Sequence, residues 1–170
     1  GRSAELGMWT LPLPTLDPQV VRRSAAALPD YGPDFRYRHF AAVRRLPTVV
    51  GGVLGLGTLM GLVRIPPARD WLLGRLTPGQ GPSAEQRAKG WFSVRFVGSG
   101  GGRRVLTEVA GGDPGYDETA KMLAESALCL AFDDLPVSSG QVTTAVAMGD
   151  ALTGRLTRAG VRFRVLEQAG

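Results

Sequence analysis

Trp91-Phe-Ser-Val-Arg-Phe-Val97, followed by Gly98-Ser-Gly-Gly-Gly102 and Arg103-Arg-Val-Leu-Thr-Glu-Val-Ala110, is the stretch that decides the fold. Phe92, Val94 and Phe96 alternate with other side chains, the period-2 pattern of a strand with one apolar face. Val105, Thr107 and Val109 repeat that pattern after the glycines, so residues 91–110 read as a β-hairpin around a flexible turn at 98–102. Downstream, Gly111-Gly112 leads to Asp113-Pro114, a capping residue and a proline, which predicts a helix over 114–132. Its expected inward stripe is Met122, Leu123, Ala127, Leu130 and Ala131, with Cys129 as a small buried residue. A second helix is expected over 144–159, after Thr143-Thr144, with Gly160 just past its end. Residues 161–166 then close the chain as a strand. Upstream, Ser83-Ala-Glu-Gln86 has the capping-box spacing that starts a short helix. Residues 81–170 therefore read as an α+β core, a mixed or largely antiparallel sheet with helices packed on it.

Residues 1–80 are organised differently. Trp9-Thr-Leu-Pro-Leu-Pro14 is extended, because each proline bars the residue before it from helix. Asp17-Pro18 predicts a helix to Leu28, and residues 35–43 read as a strand with Phe35, Tyr37, His39 and Ala41 on one face. Residues 48–63 form a charge-free, glycine-rich segment of 16 residues between Arg44, Arg45 and Arg64. A bilayer span takes about 20 residues, so two readings stand: a buried helix of the domain, or a membrane-touching or lipid-tunnel hairpin. Gly51/Gly55 and Gly57/Gly61 have the small-xxx-small spacing of closely packed helices. Arg69-Asp-Trp-Leu-Leu73 is a short amphipathic helix whose Trp71 suits a membrane interface or a domain surface. Residues 77–82 are the clearest linker, yet the two parts are expected to form one structural domain.

Composition narrows the chemistry. With 170 residues, 44% hydrophobic, 21% charged, 24 glycines and 12 prolines, the chain is folded and loop-rich. A single cysteine, Cys129, excludes an intrachain disulfide and a cysteine zinc site, and is consistent with a cytoplasmic protein. The single histidine, His39, leaves no HExxH pair, and no GxSxG elbow accompanies it, so no metal site is expected and hydrolase triads are excluded. The net charge of +5 comes entirely from residues 1–80, where ten basic groups face five acidic ones. Basic groups beside an apolar stretch suit an anionic membrane surface or ligand, and no nucleic-acid motif is present. Gly55-Leu-Gly57-Thr-Leu-Met-Gly61 imitates a dinucleotide fingerprint but lies inside the apolar run, with no strand before it. The cluster at 98–102 joins two strands, so neither is a Rossmann site.

The remaining polar cluster is Gly111-Gly-Asp-Pro-Gly-Tyr-Asp-Glu-Thr-Ala-Lys121. Tyr116 and Lys121 are the candidate catalytic pair, the phenol as proton donor and the lysine lowering its pKa from one turn away. The alternative is structural: Asp113 caps, Asp117 and Glu118 favour the helix start, and Lys121 pairs with Asp117. Thr143 and Thr144 open a second glycine-led helix whose free N–H groups are a candidate anion site, or simply a cap, and Asp113 is counted with them as a candidate anion- or substrate-binding residue. Trp9, Leu54, Leu59, Met60 and Trp71 are candidates for the apolar wall of a substrate channel.

Gly81-Pro-Ser-Ala-Glu-Gln-Arg87, the strand at 91–97, Gly111-Gly-Asp-Pro-Gly-Tyr-Asp-Glu-Thr-Ala-Lys-Met122, Gly140-Gln-Val-Thr-Thr-Ala-Val-Ala-Met-Gly149 and Arg158-Ala-Gly-Val-Arg-Phe163 carry a resemblance. Asp17-Pro-Gln-Val-Val-Arg-Arg-Ser24 and Tyr31-Gly-Pro-Asp-Phe-Arg-Tyr37 extend it through the first third. Together they resemble the C-terminal domain of the saccharopine-dehydrogenase-like family, on its branch of actinobacterial trans-acting enoyl reductases. The resemblance implies reduction of a carbon–carbon double bond in a lipid-like polyketide or acyl substrate, with NADP bound by an N-terminal Rossmann domain that these residues do not include. On that basis the chain is expected to be the substrate-binding, dimerising half of such an oxidoreductase, and not to transfer hydride alone. The contrasting expectation is a non-catalytic module that binds a lipid interface, peripheral on the inner face of the plasma membrane, or one that only dimerises.

Overall fold

The computed structural model describes residues 7–13, 15–74, 79 and 81–169. The fold is α+β with antiparallel sheets, and it divides into two compact units, Gly1–Gly81 and Pro82–Gly170, rather than the single domain expected. The division coincides with the end of the charge imbalance. The expected linker at 77–82 lies largely outside the described residues.

In the first unit, β1 (Trp9–Pro12) pairs antiparallel with β2 (Phe40–Val43), Trp9 opposite Val43. The expected strand at 35–43 is thus paired only over its last four residues. Residues 35–43 nonetheless keep their alternation, with Phe35, Tyr37, His39 and Ala41 half-buried and Arg36 and Arg38 exposed. β1 is too short to pair with the earlier positions. Helix α1 (Asp17–Ala27) begins on Asp17 itself, with Leu16 at the cap position and no side-chain cap, so Asp17 acts on the helix dipole from the first turn. Helix α2 (Leu46–Val63) is 18 residues long, and α3 (Pro66–Leu73) follows it. Among the described residues of this unit only Ser24 is buried.

The second unit opens with α4 (Ala84–Ala88), where the full capping box forms: Gln86 N donates to Ser83 Oγ and Ser83 N donates to Gln86 Oε1. Strands β3 (Phe92–Gly100) and β4 (Arg103–Gly111) pair in register from Phe92↔Gly111 to Gly100↔Arg103. The turn is tighter than expected. Gly98, Ser99 and Gly100 remain in the strand, and only Gly101 and Gly102 turn, at φ 57° and 75°, the left-handed pair that a two-residue hairpin requires. After α5 (Asp117–Phe132) and α6 (Thr144–Arg158), β5 (Arg162–Ala169) returns antiparallel to β4, giving the order β3-β4-β5. Helix α6 is interrupted at Gly149, whose φ of 44° is open to glycine and strained for other residues.

The register sorts the sheet into two chemically distinct faces. Val94↔Val109↔Phe163 and Phe96↔Thr107↔Val165 make an apolar face. On the other, Glu108 accepts from Ser93 and Arg95 and also faces Arg164, beside the buried Ala110.

Helix α5 does not bury the stripe expected of it. Leu123 and Leu130 are 72% and 60% exposed, Ala127 and Ala131 are exposed too, and only Met122 of that set is half-buried. The inward positions are Glu118, Met122, Glu125 and Cys129, a stripe at i, i+4, i+7 and i+11. Glu125 is held there by Arg155 on α6, which also reaches Asp133 at the helix end, and Glu118 is held by Lys121. The guanidinium holds the Asp133 carboxyl down to a pKa of about 2. Ala110, Cys129, Met148 and Val161 form the buried apolar centre.

Candidate functional site

The end of β4 meets the start of α5 where side chains are missing. A Cβ on Gly111 would stand 2.6 Å from Phe92 Cε1 and 3.3 Å from Glu118 Cδ, and one on Gly112 would stand 3.2 Å from Glu118 Oε1. Gly90 gives the same clearance to Asp113, whose Cβ would be 2.9 Å away. These glycines let Glu118 lie against the backbone, where it is only 7% exposed. Because Gly111 is the cross-strand partner of Phe92, the carboxyl stands at the end of the sheet's apolar face.

Helix α5 starts three residues later than expected, since Pro114-Gly115-Tyr116 forms a turn. Asp113 Oδ2 accepts from Tyr116 N at 2.7 Å and Asp117 N at 3.3 Å, and its carbonyl accepts from Glu118 N at 2.9 Å. These bonds satisfy donors that a helix start leaves open, so Asp113 is a capping residue. Glu118 Oε1 accepts from Lys121 Nζ at 2.7 Å. Its other oxygen, Oε2, is buried and accepts no hydrogen bond among the described residues. Lys121 Nζ stands 4.0 Å from where a Cβ on Gly160 would be. Gly160 in turn lines an open depression of about 400 Å3 with Thr157, Val161, Arg162, Phe163 and Arg164.

The sequence pairings are rearranged here. Lys121 is paired with Glu118 rather than with Asp117, which takes Arg87 Nε at 2.9 Å. Tyr116 sits at the cap position with its side chain 51% exposed, and the ammonium expected to act on it is held by Glu118. Thr143 caps α6 through Val146 N at 3.4 Å, and Thr144 is an exposed first-turn residue.

The expected channel wall does not assemble. Leu54, Leu59 and Met60 are 64%, 44% and 56% exposed on α2. At about 100° per residue they point to three different sides of that helix. Trp71 is exposed on α3, and Trp9 is half-buried on β1 opposite Val43. All five belong to the first unit, whereas Tyr116, Lys121, Asp113, Thr143 and Thr144 belong to the second.

Sequence reasoning missed Glu118 as a buried group. The signal available was its place four residues before Met122 and eleven before Cys129, which outweighs the apparent apolar stripe. The glycine cluster at 55–61 lies within the continuous helix α2 and offers no helix N-terminus, and Gly98 and Gly100 are strand residues. Neither fits a dinucleotide phosphate, which needs glycines at the turn from strand to helix. Among the described residues no group of three His, Cys, Asp or Glu side chains could hold a metal ion.

No family model and no solved structure matches the chain. Curated proteins do. A Mycobacterium tuberculosis protein named provisionally as a trans-acting enoyl reductase is 37% identical over 96% of this chain and 42% of its own length. The trans-acting enoyl reductase of Mycobacterium ulcerans is 38% identical over 84% of this chain and 37% of its own length. That of Mycobacterium leprae is 33% identical over 91% and 40%. The chain is thus similar, over nearly all of its length, to about two fifths of proteins named trans-acting enoyl reductases.

Proposed function

We propose that the chain is the substrate-side part of an enoyl reductase that saturates a carbon–carbon double bond in a lipid-like acyl or polyketide chain. The observation that carries this reading is the 33–38% identity to named trans-acting enoyl reductases along 84–96% of the chain. The saccharopine-dehydrogenase-like architecture and the NADP cofactor enter through the resemblance. The glycine clusters of this chain do not fit NADP, so the reading assigns the cofactor to the part of the relatives that the chain does not span.

Within the chain, the apolar face of β3, β4 and β5 is suited to an acyl chain. Val94, Phe96 and Phe163 are 37–39% exposed on it. At its end, Glu118 fixes the Lys121 ammonium by a 2.7 Å bond. A fixed cation there stabilises negative charge developing on a thioester or ketone oxygen, and a preorganised donor does so without rearranging. Tyr116, exposed at the adjoining cap, is the proton donor of this reading.

The test uses a protein that joins this chain to the remaining part found in its relatives, assayed for NADPH oxidation with a long-chain enoyl thioester. Turnover that falls at least tenfold in Lys121→Met, with the fold intact, supports the site. Turnover at the wild-type level in Lys121→Met removes Lys121 from it, and absence of any enoyl-dependent oxidation overturns the reading.

A further inference from the structure

We infer that α2 inserts into the acyl layer of an anionic lipid membrane, anchored at its two ends by arginines. The inference rests on residues 34–71 alone and is independent of the reductase reading.

None of the α2 residues with described side chains is buried, and Val53, Leu54, Leu56 and Met60 are each more than half exposed. The apolar side chains are not confined to one stripe: Val53, Leu54, Leu62 and Leu59 are all exposed, and at about 100° per residue they stand near 0°, 100°, 180° and 240° around the helix. A protein partner covers one side of a helix and leaves the rest to water. An acyl layer covers all sides at once. An amphipathic helix lying in the interface needs a polar face, which α2 lacks.

The glycines point the same way. Gly51, Gly52, Gly55, Gly57 and Gly61 all lie inside α2, and a Cβ on any of them would meet nothing within 4 Å. No close helix contact among the described residues requires them. Each weakens a helix in water. In hydrocarbon, backbone N–H and C=O groups have no water to turn to, and the helix is enforced whatever its propensity. Eighteen residues at about 1.5 Å rise come close to the roughly 30 Å of a bilayer core.

Charge selects the headgroup. Between Asp34 and Asp70 the sequence has no acidic residue, whereas Arg44 and Arg45 precede α2 and Arg64 follows it. All three arginines are exposed. Arg69, one turn further on, is shared with Asp70 at 3.0 Å. Trp71, 58% exposed on α3, stands where an interfacial aromatic is favoured.

The test is flotation of the full 170-residue chain with vesicles of phosphatidylcholine alone or mixed with phosphatidylglycerol. The chain is expected to float with the mixed vesicles, and Leu56→Asp is expected to stay in the dense fraction. Arg44→Ala with Arg45→Ala should weaken binding to mixed vesicles about thirtyfold, the loss of two cations from an anionic surface. Folding of the variants is checked by the helical circular dichroism of the whole chain, to which α1, α2 and α3 contribute. For the unaltered chain, brominated acyl chains should quench a fluorescence component that disappears in Trp71→Phe. Failure to float with mixed vesicles overturns the inference. So does a lipid-free oligomer of fixed size that no longer binds vesicles, because a second copy then covers α2. Equal binding with and without phosphatidylglycerol overturns the anionic requirement.

Discussion

Arg155 grips Asp133 with both arms of its guanidinium, Nε 2.6 Å from Oδ2 and Nη2 2.7 Å from Oδ1, tying α6 to the residue that ends α5. A third contact, Nη1 to Glu125 Oε2 at 3.4 Å, reaches about two turns back along α5. A planar fork meeting a carboxylate in this way fixes direction as well as distance. Two helices that bury little else are thereby held in one arrangement.

Asp133→Asn is expected to lower the melting temperature of the second unit at neutral pH. The native carboxyl titrates at about 2 because Arg155 donates to it, against about 3.9 in an unfolded chain. A depressed carboxyl stabilises the fold above the unfolded value, and that contribution is lost as pH falls through the folded one. The unaltered protein should therefore lose stability between about pH 4 and pH 2, and Asp133→Asn should flatten that limb. Urea unfolding at stepped pH reads both; an unchanged acid limb would mean that the clamp adds nothing.

Cys129 has no exposed surface, and burial first, then Asp133, raises its thiol pKa. A buried, protonated thiol is a poor nucleophile. Native protein at pH 8 should resist a thiol reagent until denaturant opens the second unit. Reaction at the rate of a free thiol would show that α5 and α6 are not packed as described.

Gly111→Ala should destabilise the protein by about 1–3 kcal/mol, as other overpacked sites do. The added methyl would stand 2.6 Å from the Phe92 ring and displace Glu118 from its seat. Gly100→Ala is the matched control, since a Cβ there meets nothing within 4 Å and its φ is not positive. The control should change stability by no more than about 0.5 kcal/mol. Equal effects of the two changes, measured by denaturant midpoint, would remove the close approach as the cause.

Glu118→Gln keeps the shape but leaves Lys121 without its charged partner. In the joined protein it should lower kcat more than it raises KM, because the ammonium is then no longer fixed where charge develops. A rise in KM alone would make Glu118 part of uniform substrate binding.

Much of the second unit was legible because its signals are local. Phe92, Val94 and Phe96 set the hairpin, Ser83 and Gln86 set the capping box, and Gly160 set the end of α6. The α5 stripe was misread because hydrophobicity was weighed without the partner helix: Arg155 lies 22 residues beyond Asp133 and makes a polar inward face affordable. The same limit hid Glu118, whose seat depends on the absent side chains of Gly111 and Gly112. In the first unit the alternation at 35–43 was readable, but how much of it is paired depends on the length of β1, four residues. Residues 54, 59 and 60 share apolarity in the sequence but not an angle around helix α2.

The most direct measurement is calorimetric titration of the 170-residue chain with NADPH and, separately, with a long-chain acyl thioester below its micellar concentration. The expected result is acyl binding that Lys121→Met weakens and no NADPH binding, as for a substrate-side part whose glycine clusters lie inside a helix and a hairpin. Tight NADPH binding by this chain alone would contradict it, and would return residues 55–61 to consideration as the cofactor site.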